Sequence, residues 1–147
     1  MESDRLKTAM FENAVEIVCL HSRVRETSKR RDESAQRRQA WQLACTELHE
    51  RYNDLAFPGG YDDALERIES GKAQAMEAAI CFLELRPYFF RSGYMFKDIL
   101  RKCKRAPLSP QQESRLKIVM GKLDEWRKRK VLDKELERSC RIAPGDS

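Results

Sequence analysis

The chain has 147 residues, a formal net charge of +5, 41% apolar and 36% charged residues, and a mean hydropathy of -0.72. That is the length of one ordinary domain, with enough apolar residues for a core and too regular a pattern of them for wholesale disorder. No apolar run approaches the ~18 residues of a membrane span, and the acidic opening Met-Glu-Ser-Asp lacks the apolar segment of a secretory leader.

No glycine and no proline occur from Met1 to Phe57. Without helix breakers, the three- and four-residue steps of Leu6, Met10, Ala14, Ile17 and His21 predict a first helix from about Ser3 or Asp4, with Phe11, Val15 and Val18 widening its stripe. Between Arg25 and Arg38 only Ala35 is apolar, although Glu26–Arg30, Glu33–Arg37 and Glu47–Arg51 carry the favourable i, i+4 order. A second stripe follows in Trp41, Cys45, Leu48, Tyr52 and Leu55. One unbroken helix from Asp4 to Leu55 would run ~78 Å, against a diameter of ~40 Å for a compact domain of this size. The chain therefore either bends between about Thr27 and Ser34 into a hairpin or projects one long helix; the apolar gap favours the hairpin.

Phe57-Pro58-Gly59-Gly60-Tyr61 reads as a turn, followed by a helix opening at Asp62-Asp63. Its stripe runs through Leu65, Ile68, Ala75, Met76, Ala79, Phe82 and Leu83, with a possible break at Ser70-Gly71 and an end near Arg86-Pro87. Ser92-Gly93 separates it from a short basic helix over Tyr94–Lys104. Ser109-Pro110-Gln111-Gln112 carries a capping box, with Ser at the N-cap, Pro at N1 and Gln at N3. The last helix runs through Leu116, Val119, Met120, Leu123 and Trp126 and on past Leu132 and Leu136.

These elements predict an all-α fold: one irregular bundle of about five helices over residues 1–140, then a flexible tail at 141–147. The expected core comprises Leu6, Phe11, Ile17, Trp41, Leu48, Leu55, Leu65, Ile68, Ile80, Leu83, Ile99, Leu116, Leu123 and Trp126. The five cysteines are odd in number, scattered and mostly at apolar helical positions, which suits free thiols in a reducing cytoplasm.

Charge is unevenly laid out. Ser22–Arg38, Arg86–Ala106 and Arg115–Lys130 are basic, whereas Tyr52–Leu85 carries seven acidic and two basic residues. Such runs serve either as solvated faces that pair within the molecule or as surfaces for a polyanion. Phe82–Phe96 holds six of the twelve aromatics, interleaved with arginines, which makes it the leading contact surface. Its candidate partner-binding residues are Tyr88, Phe90, Arg91, Tyr94, Lys97 and Arg101, joined by the Arg23–Arg38 connector. The same side chains also fit a core junction around Pro87. Arg30, Arg31, Lys102, Lys104, Arg105, Arg127, Lys128, Arg129 and Lys130 are the candidates for a polyanion. The basic runs at 101–105 and 127–130 equally suit helix ends.

No constellation supports catalysis, a cofactor or a metal. Cys45 and His49 share a helix face, but Cys19 and His21 point apart, so a zinc site is not expected. Glu77, Cys81 and Glu84 lie on one helix without a Glu-x-x-His motif. The expectation is a non-enzymatic protein-interaction module, with nucleic-acid binding as the alternative. A homodimer through the Trp41–Leu55 stripe is a further option.

Overall fold

The computed structural model describes residues 2–142. Among them are six helices and no strand: α1 Glu2–Ser28, α2 Ala35–Ala56, α3 Ala64–Glu69, α4 Ala73–Leu85, α5 Ser92–Cys103 and α6 Pro110–Ile142. The fold is the all-α bundle that the periodicity predicts. None of these helices is long and apolar enough to cross a membrane.

The long N-terminal stretch bends where its apolar residues thin out. Ser34 caps α2 by accepting the Arg37 N–H at 3.1 Å. Arg23–Glu47 at 2.8 Å and Arg51–Glu16 at 2.9 Å then tie α1 to α2 as an antiparallel hairpin. The expected helix at 62–86 divides in two. Gly71 takes φ +86°, and a Cβ there would meet Pro107 Cγ at 2.8 Å. Ser70-Gly71 is thus a true break between α3 and α4, pressed against the loop that precedes α6. At that loop's end the capping box forms: Gln112 N–H donates to Ser109 Oγ at 3.2 Å, and Ser109 N–H to Gln112 Oε1 at 3.0 Å.

Helix α4 is the centre of the bundle and packs against α1, α3, α5 and α6. Its residues Ala75, Met76, Ala78, Ala79, Ile80, Cys81, Phe82 and Leu83 are all buried. Glu77 and Glu84, seven residues apart, form its polar strip. Arg115 of α6 donates to Glu77 Oε2 at 2.9 Å and to Glu84 at 2.6 and 3.1 Å. From α1, Lys7 pairs with Glu84 at 3.1 Å and the Ser3 hydroxyl donates to Glu77 at 3.0 Å. Burial pushes the Glu77 carboxyl up, but hydrogen bonds from Arg115 and Ser3 outweigh it, and the net shift is downward. Glu84 is likewise held low, chiefly by Arg115. Helices α1 and α6 both run alongside α4 in the same sense as α4: Ser3 and Lys7 meet Glu77 and Glu84 in that order, and Arg115 and Trp126 meet Glu84 and Arg86. Both also outrun it, since α6 alone has 33 residues and spans ~50 Å.

The core departs from expectation at three large residues, Phe11, Trp41 and Trp126, none of which belongs to it. Phe11 is 61% and Trp126 42% exposed. Met10, Ala14, Ile17 and Leu20 form the buried face of α1, and Phe11 lies about 100° round the helix from Met10. Trp126 lies past the end of α4, where Arg86 and Lys130 cover its ring at 5.2 and 4.1 Å. Trp41, half-buried, stacks under Arg31 at 4.9 Å. Leu6, Leu48, Leu55, Leu65 and Leu123 sit at the rim, whereas Ile17, Ile68, Ile80, Leu83, Ile99 and Leu116 are buried. Phe57, Phe82, Phe89, Met95 and Phe96 complete the centre. Helix α6 continues through Ile142, two residues past the expected end; the rest of the expected tail, 143–147, lies outside the described residues.

Arg115→Gln is expected to cost about 2 kcal/mol, because it leaves two partly buried carboxylates short of charged hydrogen bonds. The folded carboxyls titrate below the ordinary value of 4.5, so the cluster stabilises fully above that pH and its contribution fades as pH falls through the lowered values. Urea midpoints between pH 3 and 7 should therefore converge for wild type and variant at the acid end; a constant gap across that range would disprove the assignment.

Candidate functional site

The connection from Arg86 to Arg91 joins α4 to α5 and is held from several sides. Both of its terminal arginines adopt left-handed backbone, with φ +50° and +68°, a conformation that costs a non-glycine residue free energy and must be enforced by its surroundings. Arg86 N–H closes α4 by donating to Phe82 O at 2.8 Å, and its guanidinium stacks on Phe96 at 4.9 Å as well as on Trp126. Phe89 and Ser92 bond reciprocally: Phe89 N–H donates to Ser92 Oγ at 3.1 Å, and Ser92 N–H to Phe89 O at 3.0 Å. The Tyr52 hydroxyl of α2 donates to Phe90 O at 2.7 Å. His21 of α1 stacks on the Phe90 ring with centroids 4.5 Å apart.

Anchored in this way, three successive aromatics point in three directions. Phe89 enters the core, edge-on to Phe82 and Tyr52. Tyr88 is 88% exposed and lines a groove with α1. Phe90 lines the opposite side, with Arg91. The stretch around Pro87 thus supplies a core residue, Phe89, between two exposed aromatics, Tyr88 and Phe90.

On the Phe90 side two adjoining hollows of about 460 and 730 Å³ share Tyr52, Tyr61, Phe90 and Arg91. The first extends to Cys45 and His49 of α2, the second to Tyr94 and Asp98 of α5. Asn53 shapes the floor: its Oδ1 accepts the backbone N–H groups of Tyr61 and Asp62 at 2.7 and 2.6 Å. Burial, reinforced by Asp98, pushes the Tyr61 hydroxyl up to about 12, so it remains a neutral donor at neutral pH. Burial also raises Tyr52, and the nearby Arg91 charge partly opposes the shift. The hollow thus has a positive wall at Arg91 and an acidic one at Asp62 and Asp98, with aromatic faces between.

Five of the six expected contact residues lie on this side. Phe90, Arg91 and Tyr94 line the hollow, and Lys97 and Arg101 continue the Tyr94 face of α5 at i+3 and i+7. Tyr88 is separated from them. Tyr52, Tyr61, Asn53 and His21 were not foreseen. Tyr52 belongs to the second apolar stripe and reads there as core, and no local pattern marks His21 as the partner of Phe90.

The basic residues do not form one patch. Lys102 pairs with Glu69 at 2.7 Å, lowering that carboxyl, and Arg101 with Asp98 at 3.2 Å. Lys104 and Arg105 end near the start of α6, and Arg127 lies ~26 Å along that helix from Pro110. Arg30 and Arg31 occupy the distant tip of the α1–α2 hairpin. Among the described residues Arg30, Lys104, Arg105 and the whole 127–130 run lack a carboxylate partner. In the Trp41–Leu55 stripe, Leu48, Tyr52 and Leu55 pack against the core of the same chain.

The other constellations separate as well. Cys45 and His49 line the hollow, whereas Cys19 lines the Tyr88 groove on the opposite side of α1. Among the described residues no three His, Cys, Asp or Glu side chains gather to hold a metal ion. Glu77 and Glu84 are consumed by Arg115 and Lys7, and burial raises the Cys81 thiol between them, which disfavours a reactive thiolate.

Tyr52→Phe removes the tether on Phe90 O and is expected to cost about 1 kcal/mol. Amide exchange at Phe90–Ser92 should speed up while the centre of α4 stays protected; unchanged exchange there would rule out the tether. No protein-family model, curated protein or solved structure matches the chain.

Proposed function

We propose that the chain is a non-enzymatic helical interaction module that presents Phe90, Arg91 and the Tyr94–Lys97–Arg101 face of α5 to a protein partner. The observation that carries this reading is the anchored connection. Tyr94 is 72% and Phe90 40% exposed, yet the backbone beneath them is fixed by Tyr52, His21 and Ser92. A pre-ordered aromatic and arginine surface loses little entropy on binding, and Tyr and Arg are the side chains that most often anchor interfaces. Arg91 has no carboxylate partner among the described residues and stacks on Phe90 at 5.1 Å, which leaves its donors available to an acidic or carbonyl-rich partner. The free cysteines, Cys19, Cys45, Cys81, Cys103 and Cys140, suit a reducing cytoplasm for this work.

The alternative is a nucleic-acid-binding module, favoured by the unpaired 127–130 run and by the stacking chemistry of Tyr94 and Phe90. The distance between the basic runs weighs toward protein. A photo-crosslinking side chain at position 94 should give protein adducts from cell lysate that survive nuclease treatment, and the same group at exposed Ile118 should not. Adducts that vanish with nuclease, or equal adducts at both positions, would overturn the proposal.

A further inference from the structure

The groove on the Tyr88 side is a second and chemically different surface. Phe11, Val15 and Val18 of α1 stand at i, i+4 and i+7 and form one wall, at 61%, 48% and 40% exposure. Leu85, Pro87 and Tyr88 form the other, and about 360 Å³ lies between them. Exposed apolar side chains are ordinary when scattered, but these converge on one concavity, which is the mark of a binding surface. The α1 wall is a helical ridge about two turns long, and its i, i+4, i+7 spacing suits another helix with apolar anchors at the same intervals.

Its rim has a sign. Arg86 lines the groove and has no carboxylate partner among the described residues. Lys130 shares the Trp126 ring with Arg86, which brings the 127–130 run of the overhanging α6 to the same edge. The nearest carboxylate of α4, Glu84, is already matched by Lys7 and Arg115. On α1, Arg25 follows Val18 at i+7, whereas Asp4 precedes Phe11 at i−7 and Glu12 precedes Val15 at i−3, so the α1 side of the rim is mixed and the positive edge is the one that Arg86 and Lys130 form.

We infer that this groove seats an acidic amphipathic helix of a partner protein, its apolar face on Phe11, Val15, Val18 and Tyr88 and its carboxylates toward Arg86 and Lys130. The inference deepens the interaction reading and names a second contact, independent of the Tyr94 surface. Among the described residues it also gives the unpaired 127–130 run a purpose other than phosphate contact.

Two labelled synthetic helical peptides test it, both with leucines at i, i+4 and i+7 and flanked either by glutamates or by lysines. The acidic peptide is expected to bind roughly tenfold tighter at low salt. That preference should shrink with added salt, and Lys130→Glu should reduce it. Val15→Asp should abolish binding of both, with circular dichroism confirming that this exposed substitution leaves the fold intact. Bound acidic peptide should also slow alkylation of Cys19, which lines the groove, and leave that of exposed Cys140 unchanged. Equal affinity for the two peptides, binding indifferent to Val15→Asp, or self-association of the free chain that Val15→Asp dissolves would overturn the inference. Loss of these effects with intact crosslinks at position 94 would remove the groove alone; loss of the crosslinks with intact peptide binding would remove only the Tyr94 surface.

Discussion

One nearly enclosed helix organises this molecule. Eight of the thirteen residues of α4 are buried, on nearly every face, and an element of that kind has to be surrounded. Helices α1, α3, α5 and α6 are its surroundings. The two carboxylates that interrupt its apolar surface would oppose that enclosure if left uncompensated. They instead become the points where Arg115, Lys7 and Ser3 fix α6 and α1 in register. Packing thus supplies the drive to assemble, and a small ionic cluster selects which faces meet.

The same arrangement produces the exposed surfaces. Helix α4 stops at Arg86 while α1 and α6 run on, so the connection to α5 sits in the recess that its neighbours overhang. A connection in such a place cannot be a loose loop. Its aromatics have core on one side and solvent on two others, and its backbone is bent into left-handed geometry at both ends. One residue is given to the interior, one to each flank. The two flanks then differ in chemistry because Tyr52 of α2, Tyr61 and Asp62 of the turn after it, and Tyr94 and Asp98 of α5 line one, whereas α1 contributes the apolar Phe11, Val15 and Val18 to the other.

Much of the fold was readable in the sequence because it rests on local signals. The apolar gap after Arg25 located the hairpin bend between about Thr27 and Ser34, Ser70-Gly71 marked a point where the next helix could break, and Ser109 through Gln112 located the start of α6. The Arg86-Pro87 stop was equally plain. What was not readable depends on contacts between distant segments. Phe11 and Trp126 fall on apolar stripes as true core residues do; Phe11 is left out because the buried face of α1 is the one that carries Met10, and Trp126 because it lies past the end of α4, where only Arg86 and Lys130 cover its ring. Ser92 reads as a spacer beside Gly93, and only its bond with Phe89 shows it to be a buried anchor. The grouping of Phe90, Arg91 and Tyr94 apart from Tyr88 likewise depends on Tyr52 and His21, which lie far away in the chain and reach the connection only through the α1–α2 hairpin.

The far end of α6 carries a thermal consequence. From Asp124 to Cys140 every residue is exposed, so this stretch, ~25 Å long, has little but its own i, i+4 bonding to keep it wound. Isolated helices of that length are marginal in water. On warming, the segment should unwind over a broad interval, well below the sharp collapse of the body, so ellipticity would decline in two stages while tertiary signals fall in one.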